Sequence, residues 1–332
     1  MPLQLWTTTW LSTVALCGLL VGSPVDDRST VPSHQRPSGE LPDVFVGSRA
    51  VGSGALSARQ LRGPYVARVL HGVYRPLWVP LTHKLKCQAA SLVLPSSAVV
   101  TGASAATVLG LRLASPDDDV TVAFPMGATV AARSGLRFRR TSDQYPSGPV
   151  VDGVRLAHPR RLAFDAAVDL PLPRATAVID AVVRHRIIDL DDFATWLGIC
   201  QDNGVRSVRQ AAELADPRAE SLPESITRVH LIQAGIDVVP QYRVVVNSLV
   251  LARVDLALPD LKIAIEYDGR WHETDVQRAQ DNDRLAQLRA NGWTVIVVTA
   301  ELLHDPRRLV AAVSAAVAER KLMMSSRSAL VA

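Results

Sequence analysis

The chain has 332 residues, 48% of them hydrophobic and 20% charged. That composition excludes a wholly disordered polymer and leaves material for two domains of roughly 100–200 residues each. Three scattered cysteines, Cys17, Cys87 and Cys200, exclude a disulfide scaffold or a cysteine-rich zinc module and fit a reducing compartment. A net charge of +4 permits a polyanionic partner without demanding one.

Residues 6–21 carry no charge, but a sixteen-residue stretch is short of the roughly 20 that a membrane span needs. No Lys or Arg precedes Arg28, whereas an export signal wants a basic start. Residues 22–42 are polar and rich in Pro and Ser. Residues 1–42 therefore read as a disordered extension or the product of a misassigned start codon. An export signal and a membrane anchor are the alternatives. The expectation is a cytoplasmic chain without membrane attachment.

Ordered sequence begins near Val44. Ser57 is a helix N-cap for a short helix carrying Arg59 and Leu61, and Gly63-Pro64 stops it. Tyr65–Val69 and Val73-Tyr74 alternate as strands about a His71-Gly72 turn. A short helix and a hairpin over residues 43–80 outline a winged helix, or else a small hairpin packed on a core. Residues 81–112 read as helix, short strand (98–100) and helix, with small residues Gly102–Ala106 permitting close packing. Strands follow at 120–124 and 136–140. Arg137, Arg139 and Arg140 read as a solvated face or as phosphate contacts. Helices start at Arg160, Ala175 and Phe193. An α+β domain thus spans 81–216, and Pro217–Pro223 reads as the linker behind it.

The last part is an α/β domain over residues 221–322. Residues 221–332 carry 13 basic and 13 acidic side chains, so the net positive charge belongs to residues 1–220. A helix over 224–234 ends at Gly235. Strands at 242–246, 251–257 and 262–267 are joined by Asn247-Ser248 and Pro259-Asp260. A helix over 276–290 ends at Asn291-Gly292. A nearly all-apolar strand at 293–299, predicted buried on both faces, and a helix over 306–321 complete an α-β-β-β-α-β-α order.

Acidic residues in this part sit where apolar strands end. Asp255 closes a strand of Leu, Ala and Val, and Glu266 and Asp268 follow Ile263-Ala264-Ile265. Such acids are costly unless paired, exposed or bound to metal. Glu266 and Asp268, two apart on a strand, share a face, and the turn at 259–260 brings Asp255 beside Glu266. Three converging carboxylates cannot all stay ionised without a cation or protons between them. Oxygen ligands of this kind suit Mg²⁺ or Mn²⁺.

Asp255 followed by Glu266-Tyr267-Asp268 on adjacent strands resembles the PD-(D/E)XK nuclease core, a restriction-endonuclease-like αβββαβ unit with a mixed central sheet. The run Ile265–His272 and the later Asp281, Arg284, Leu288 and Gly292-Trp293 are similar to the very-short-patch-repair endonucleases. Within that group the likeness is to an actinobacterial domain of unknown function, whose leading Glu-Ser-x-x-Arg helix is matched by Glu224-Ser225-Ile226-Thr227-Arg228. The resemblance covers residues 220–320. It implies Asp255 and Glu266 as metal ligands, with the Tyr267 carbonyl as a further oxygen and Glu224 acting through water. His272 would be an acid/base or phosphate contact, with Asp281 orienting it or the metal water. Arg228 and Arg270 would face DNA. A metal-activated water would attack a phosphodiester. Glu224 also has a plain reading as a first-turn helix acid, and Arg228 one as its ion-pair partner. Two positions depart from the pattern. Asp268 stands where most PD-(D/E)XK enzymes carry Lys, and Leu285 stands where the nearer relatives show an acid.

Gly47-Ser48, Ser57–Arg62 and His71–Tyr74 resemble the AbiEi-type antitoxin winged helix. Val100–Ala106, Leu109-Gly110-Leu111 and His158–Asp165 resemble the domain after it. That likeness covers residues 44–200 and implies DNA recognition in a toxin–antitoxin or phage-defence setting, with Arg59, Arg62 and Arg68 as phosphate contacts. The sequence as a whole predicts a Mg²⁺- or Mn²⁺-dependent DNA endonuclease with an N-terminal DNA-binding or regulatory region and no small-molecule cofactor. A non-catalytic DNA-binding regulator on a relic nuclease fold is the alternative, and an RNA-processing toxin a third reading.

Overall fold

The structure, a computed structural model, describes residues 41–128, 131–141, 147–268 and 275–331. The chain divides into two compact units, one ending at Ala166 and including Cys200–Asn203, the other formed by Ala167–Ile199 and Gly204–Ala332. This division falls some fifty residues before the linker read from Pro217–Pro223.

The first unit opens with β1 (Phe45–Val46), α1 (Gly47–Gly52), a single 3-10 turn at Gln60–Arg62, and the hairpin β2 (Val66–Leu70) and β3 (Val73–Pro76). The three strands form one antiparallel sheet in the order β1-β3-β2. Ser57 Oγ accepts from the Gln60 amide at 3.1 Å and Gln60 Oε1 accepts from the Ser57 amide at 2.8 Å. These reciprocal bonds cap the turn. The segment carrying Arg59 and Leu61 is therefore one capped turn and not a full helix, because Gly63-Pro64 follows at once.

Next come α2 (His83–Ser91), β4 (Val99–Val100), α3 (Gly102–Val108), β5 (Val120–Pro125), β6 (Leu136–Thr141), β7 (Ser147–Val151), β8 (Val154–Ala157) and α4 (Pro159–Ala167). A mixed sheet runs β6-β5-β4-β8-β7. Gly102, at φ +59°, starts α3 where a Cβ would stand 3.2 Å from the Asp165 carbonyl oxygen, so helix and helix approach closely there. Beside it, Thr101 Oγ1 donates to Asp165 Oδ2 at 2.7 Å, and Arg161 Nε donates to the same oxygen at 2.9 Å. Arg161 also binds Thr141 Oγ1 and Asp202 and lies over the Phe164 ring. Two stretches singled out in the sequence, 100–106 and 158–165, thus meet in one buried polar network.

The second unit begins with three helices, α5 (Leu172–Arg184), α6 (Leu190–Ile199) and α7 (Val205–Glu213). The core follows as α8 (Leu222–Gln233), β9 (Val239–Val246), β10 (Leu249–Leu258), β11 (Ile263–Tyr267), α9 (Asp275–Ala290), β12 (Thr294–Val298), α10 (Ala300–His304) and α11 (Pro306–Val331). The sheet order is β12-β11-β10-β9, antiparallel except for the parallel β11–β12 pair. The αβββαβ order read from the sequence is therefore present, on a mixed central sheet. Asn247 and Ser248 take φ +50° and +66°, the paired left-handed turn that suits strand twist. One sheet face packs Val244, Val254 and Ala264 against Leu285, Leu288 and Trp293 of α9 and its exit. The other packs Leu256, Ile263 and Ile265 against Leu231 of α8 and Leu309 and Val313 of α11. β12 departs from the expectation of two buried faces. It is an edge strand bonded to β11 alone, and Thr294–Val297 are half-buried.

α5 and α8 pack together through a buried ion pair. Arg228 Nη2 donates to Asp180 Oδ2 at 2.8 Å, Arg228 Nη1 donates to the Leu214 carbonyl at 2.6 Å, and the Asp216 amide donates to Asp180 Oδ1 at 2.7 Å. This pair draws the helices before the sequence linker into the second unit. Among the described residues no helix is long and apolar enough to cross a membrane. Arg228→Met is expected to cost about 3–5 kcal/mol, because it strands a buried carboxylate. Adding Asp180→Leu recovers most of the loss. Urea unfolding of the two variants checks both statements.

Candidate functional site

The site is made where two strands part. β10 and β11 pair through Leu258↔Ile263, Ala257↔Ala264 and Leu256↔Ile265. Beyond that rung β10 continues along β9, while Glu266 and Tyr267 of β11 pair with Val297 and Val298 of β12. Asp255 and Glu266 are the first residues past the last rung. The side-chain alternation of β10 also breaks there. Val254 lies in the core under α9, and Leu256, two residues on, lies in the core under α8 and α11. Gln241 of β9, across from Asp255, takes φ +52°. In the opened fork the Asp255 carboxylate replaces the missing strand partner by accepting from the Tyr267 amide at 2.9 Å.

Glu266 is 8% exposed. Its carboxylate receives Arg284 Nη1 at 2.6 Å and Nη2 at 3.4 Å, from α9. Arg284 Nη2 also lies 3.4 Å from Asp281 Oδ1, one helical turn earlier. Glu224, 7% exposed, stands in the first turn of α8. There Ser221 Oγ accepts from its amide at 3.3 Å, while Glu224 Oε2 accepts from Gln241 Nε2 at 2.8 Å and from the Glu220 amide at 3.1 Å. Glu224 is thus a helix-start acid, as its plain reading has it, and its charge also acts on Asp255 and Glu266.

Burial raises the Asp255 carboxyl to about 7; the Tyr267 amide opposes the rise, and the charges of Glu266 and Glu224 add to it. Glu266 is raised as well, by burial first, with Arg284 pulling it down and Asp281 and Glu224 pushing it up. Among the described residues, the Arg284 guanidinium is the cation that acts on Asp255 and Glu266. The excess negative charge and the hard oxygen donors fit a divalent cation. They do not form a finished cage: among the described residues no group of three or more His, Cys, Asp or Glu is placed to hold a metal ion. Asp255 and Glu266 act on one another at the fork, and the charge of Glu224 acts on both. Asp268 lies just past β11, its amide donating to the Val298 carbonyl at 2.9 Å.

His272 and Arg270 lie outside the described residues. Asp281 is 40% exposed at its side chain and is paired with Arg284. Arg228 neither faces DNA nor pairs with Glu224: only 4% exposed, it is held by Asp180 on the helix face packed against α5. Leu285, where an acid is usual in the resembling group, is buried against the sheet, so an acid there would be stranded. In the first unit Arg59, Arg62 and Arg68 are all exposed, and Arg62 Nε donates to the Ala58 carbonyl at 3.2 Å. The sequence reading gave Arg284 no role. The signal available was its position three residues after Asp281 on a helix leading into the last core strand.

No protein-family model matches the chain. Two Mycobacterium tuberculosis proteins, "Uncharacterized protein MT2308" and "Uncharacterized protein Rv2248", from different strains, are each 29% identical over 272 residues, covering 77% of this chain and 93% of their own length. The chain is their distant homologue. Among solved structures, the RV2827C protein of Mycobacterium tuberculosis aligns with a TM-score of 0.36 at 14% identity, over 61% of this chain and 77% of that one.

A raised carboxyl makes the cation-free protein more stable where the group stays protonated. The contribution of Asp255 is complete below about pH 4, the unfolded value, and is lost as pH rises through about 7. In EDTA, Asp255→Asn is expected to flatten that decline and to exceed the wild type at pH 8 by on the order of 2 kcal/mol. Urea titrations at pH 5 and pH 8 measure the difference.

Proposed function

We propose that the second unit is a divalent-metal-dependent endonuclease that hydrolyses phosphodiester bonds in DNA, served by a first unit that binds DNA or regulates the reaction. The observation that carries this reading is the fork, where Asp255 and Glu266 sit side by side past the last β10–β11 rung and Glu224 adds a third charge. The residues that would hold Mg²⁺ or Mn²⁺ are Asp255 and Glu266, with the Tyr267 carbonyl as a further oxygen. When bound, such an ion acidifies a water and neutralises charge developing on a phosphate. Glu224, fixed by Gln241 and the Glu220 amide, holds its carboxylate at the fork, where it can accept a proton from solvent entering the site. Asp281 gives the Arg284 guanidinium a second, longer contact. Asp268 offers no positive charge where a Lys is usual, so stabilisation of the phosphate falls to other cations.

The described residues also support a second reading. Arg284 already answers Glu266 without a divalent cation, which favours a non-catalytic DNA-binding regulator that keeps the nuclease architecture. Arg59, Arg62 and Arg68, all exposed on the first unit, would supply phosphate contacts under either reading. A place in a toxin–antitoxin or phage-defence pair fits both.

Incubation of the full chain with plasmid DNA, linear duplex and RNA under Mg²⁺, Mn²⁺ or EDTA separates the two. The nuclease reading predicts metal-dependent cleavage of DNA that falls by on the order of 10²-fold or more in Asp255→Asn and Glu266→Gln. Salt-sensitive DNA binding with no turnover under any metal supports the regulator, and cleavage confined to RNA overturns the substrate class.

A further inference from the structure

The Arg284 guanidinium makes one short and several long contacts. Nη1 lies 2.6 Å from Glu266 Oε1, whereas Nη2 to Glu266 Oε2, Nε and Nη2 to Asp281 Oδ1, and Nη1 to the Arg253 carbonyl are each 3.4 Å. Contacts at 3.4 Å are at the outer edge of useful hydrogen bonding. The group is thus held chiefly by Glu266, with a second seat prepared on its own helix by Asp281. The side chain is 32% exposed, which leaves it room to change seats.

A divalent cation at the fork needs the same Glu266 oxygens that Arg284 occupies. A guanidinium does not lose its proton at any working pH, so it must move to make way. Asp281, at i−3 on the helix surface, can receive it without unwinding α9. We propose that Arg284 is an exchangeable counter-ion: a divalent cation takes Glu266 from it, and the released guanidinium, tethered by Asp281, turns to the bound nucleic-acid phosphate. This inference rests on the metal-dependent reading above and adds to it a positioning residue that couples ion uptake to substrate contact. A planar donor fork suits a phosphate as well as it suits a carboxylate.

The test is Mn²⁺ titration calorimetry on the full chain, wild type, Arg284→Gln and Arg284→Lys, with duplex DNA affinity measured separately in Ca²⁺ and in EDTA. Removing the competitor is expected to tighten Mn²⁺ binding about tenfold in Arg284→Gln, and by a smaller factor in Arg284→Lys. DNA affinity should fall in Arg284→Gln in Ca²⁺ and stay unchanged in EDTA. Circular dichroism confirms folding, and Arg284→Lys, which keeps the charge, carries the test should Arg284→Gln not fold. Wild-type Mn²⁺ binding that is unchanged or weakened in the variants overturns the exchange while leaving the metal site standing. No Mn²⁺ uptake by wild type or variants overturns both.

Discussion

Everything distinctive in the second unit follows from the parting of β10 and β11 after Leu256↔Ile265. A paired sheet has no place for two adjacent carboxylates with apolar cores above and below. The fork makes one, by releasing a backbone amide at Tyr267 for Asp255 and a path from α9 for Arg284 to reach Glu266. The alternation of β10 slips by one residue at the same point, with Val254 and Ala257 in the core under α9 and Leu256 in the core under α8 and α11. Desolvation and like charge then make the ionised acids unfavourable, opposed by the Tyr267 amide at Asp255 and by the Arg284 guanidinium. The fork is in that sense a site under electrostatic tension, relieved by a proton, by Arg284 or by a cation.

Two ion pairs of this unit, Asp180–Arg228 and Glu266–Arg284, differ in kind. Asp180 and Arg228 are sealed between α5 and α8, with further bonds from the Asp216 amide and to the Leu214 carbonyl. Their task is to fix helix packing. Glu266 and Arg284 stand at the open end of a strand, with a second acid within reach of the guanidinium. The first pair is expensive to break, whereas the second is placed so that it can rearrange.

The order of elements from Leu222 onward was legible because each strand is bounded by a turn signal and each helix by a cap, and because Asp255 and Glu266 are conspicuous at the ends of apolar runs. The destination of individual side chains was less so. Arg228 looks like a surface cation until Asp180, 48 residues earlier, is brought to it. β12 looks doubly buried because apolar content does not say whether a strand is central or at an edge. Helix α7, which buries Val208, Ala211 and Ala212 on one face, and the β7–β8 hairpin are short elements that the sequence analysis does not include. In the first unit, the stretches around Thr101 and Asp165 were noticed as motifs, but only the fold shows that they are one buried network around Arg161.

Uptake of a divalent cation at the fork is the property on which the nuclease reading depends. Crystals of the full chain grown with Mn²⁺ at pH 8 and measured at the manganese edge test this directly. The expected result is one anomalous peak per chain lying between the Asp255 and Glu266 carboxylates, with Arg284 turned to Asp281. An empty fork at saturating Mn²⁺, with Arg284 still on Glu266, would contradict it.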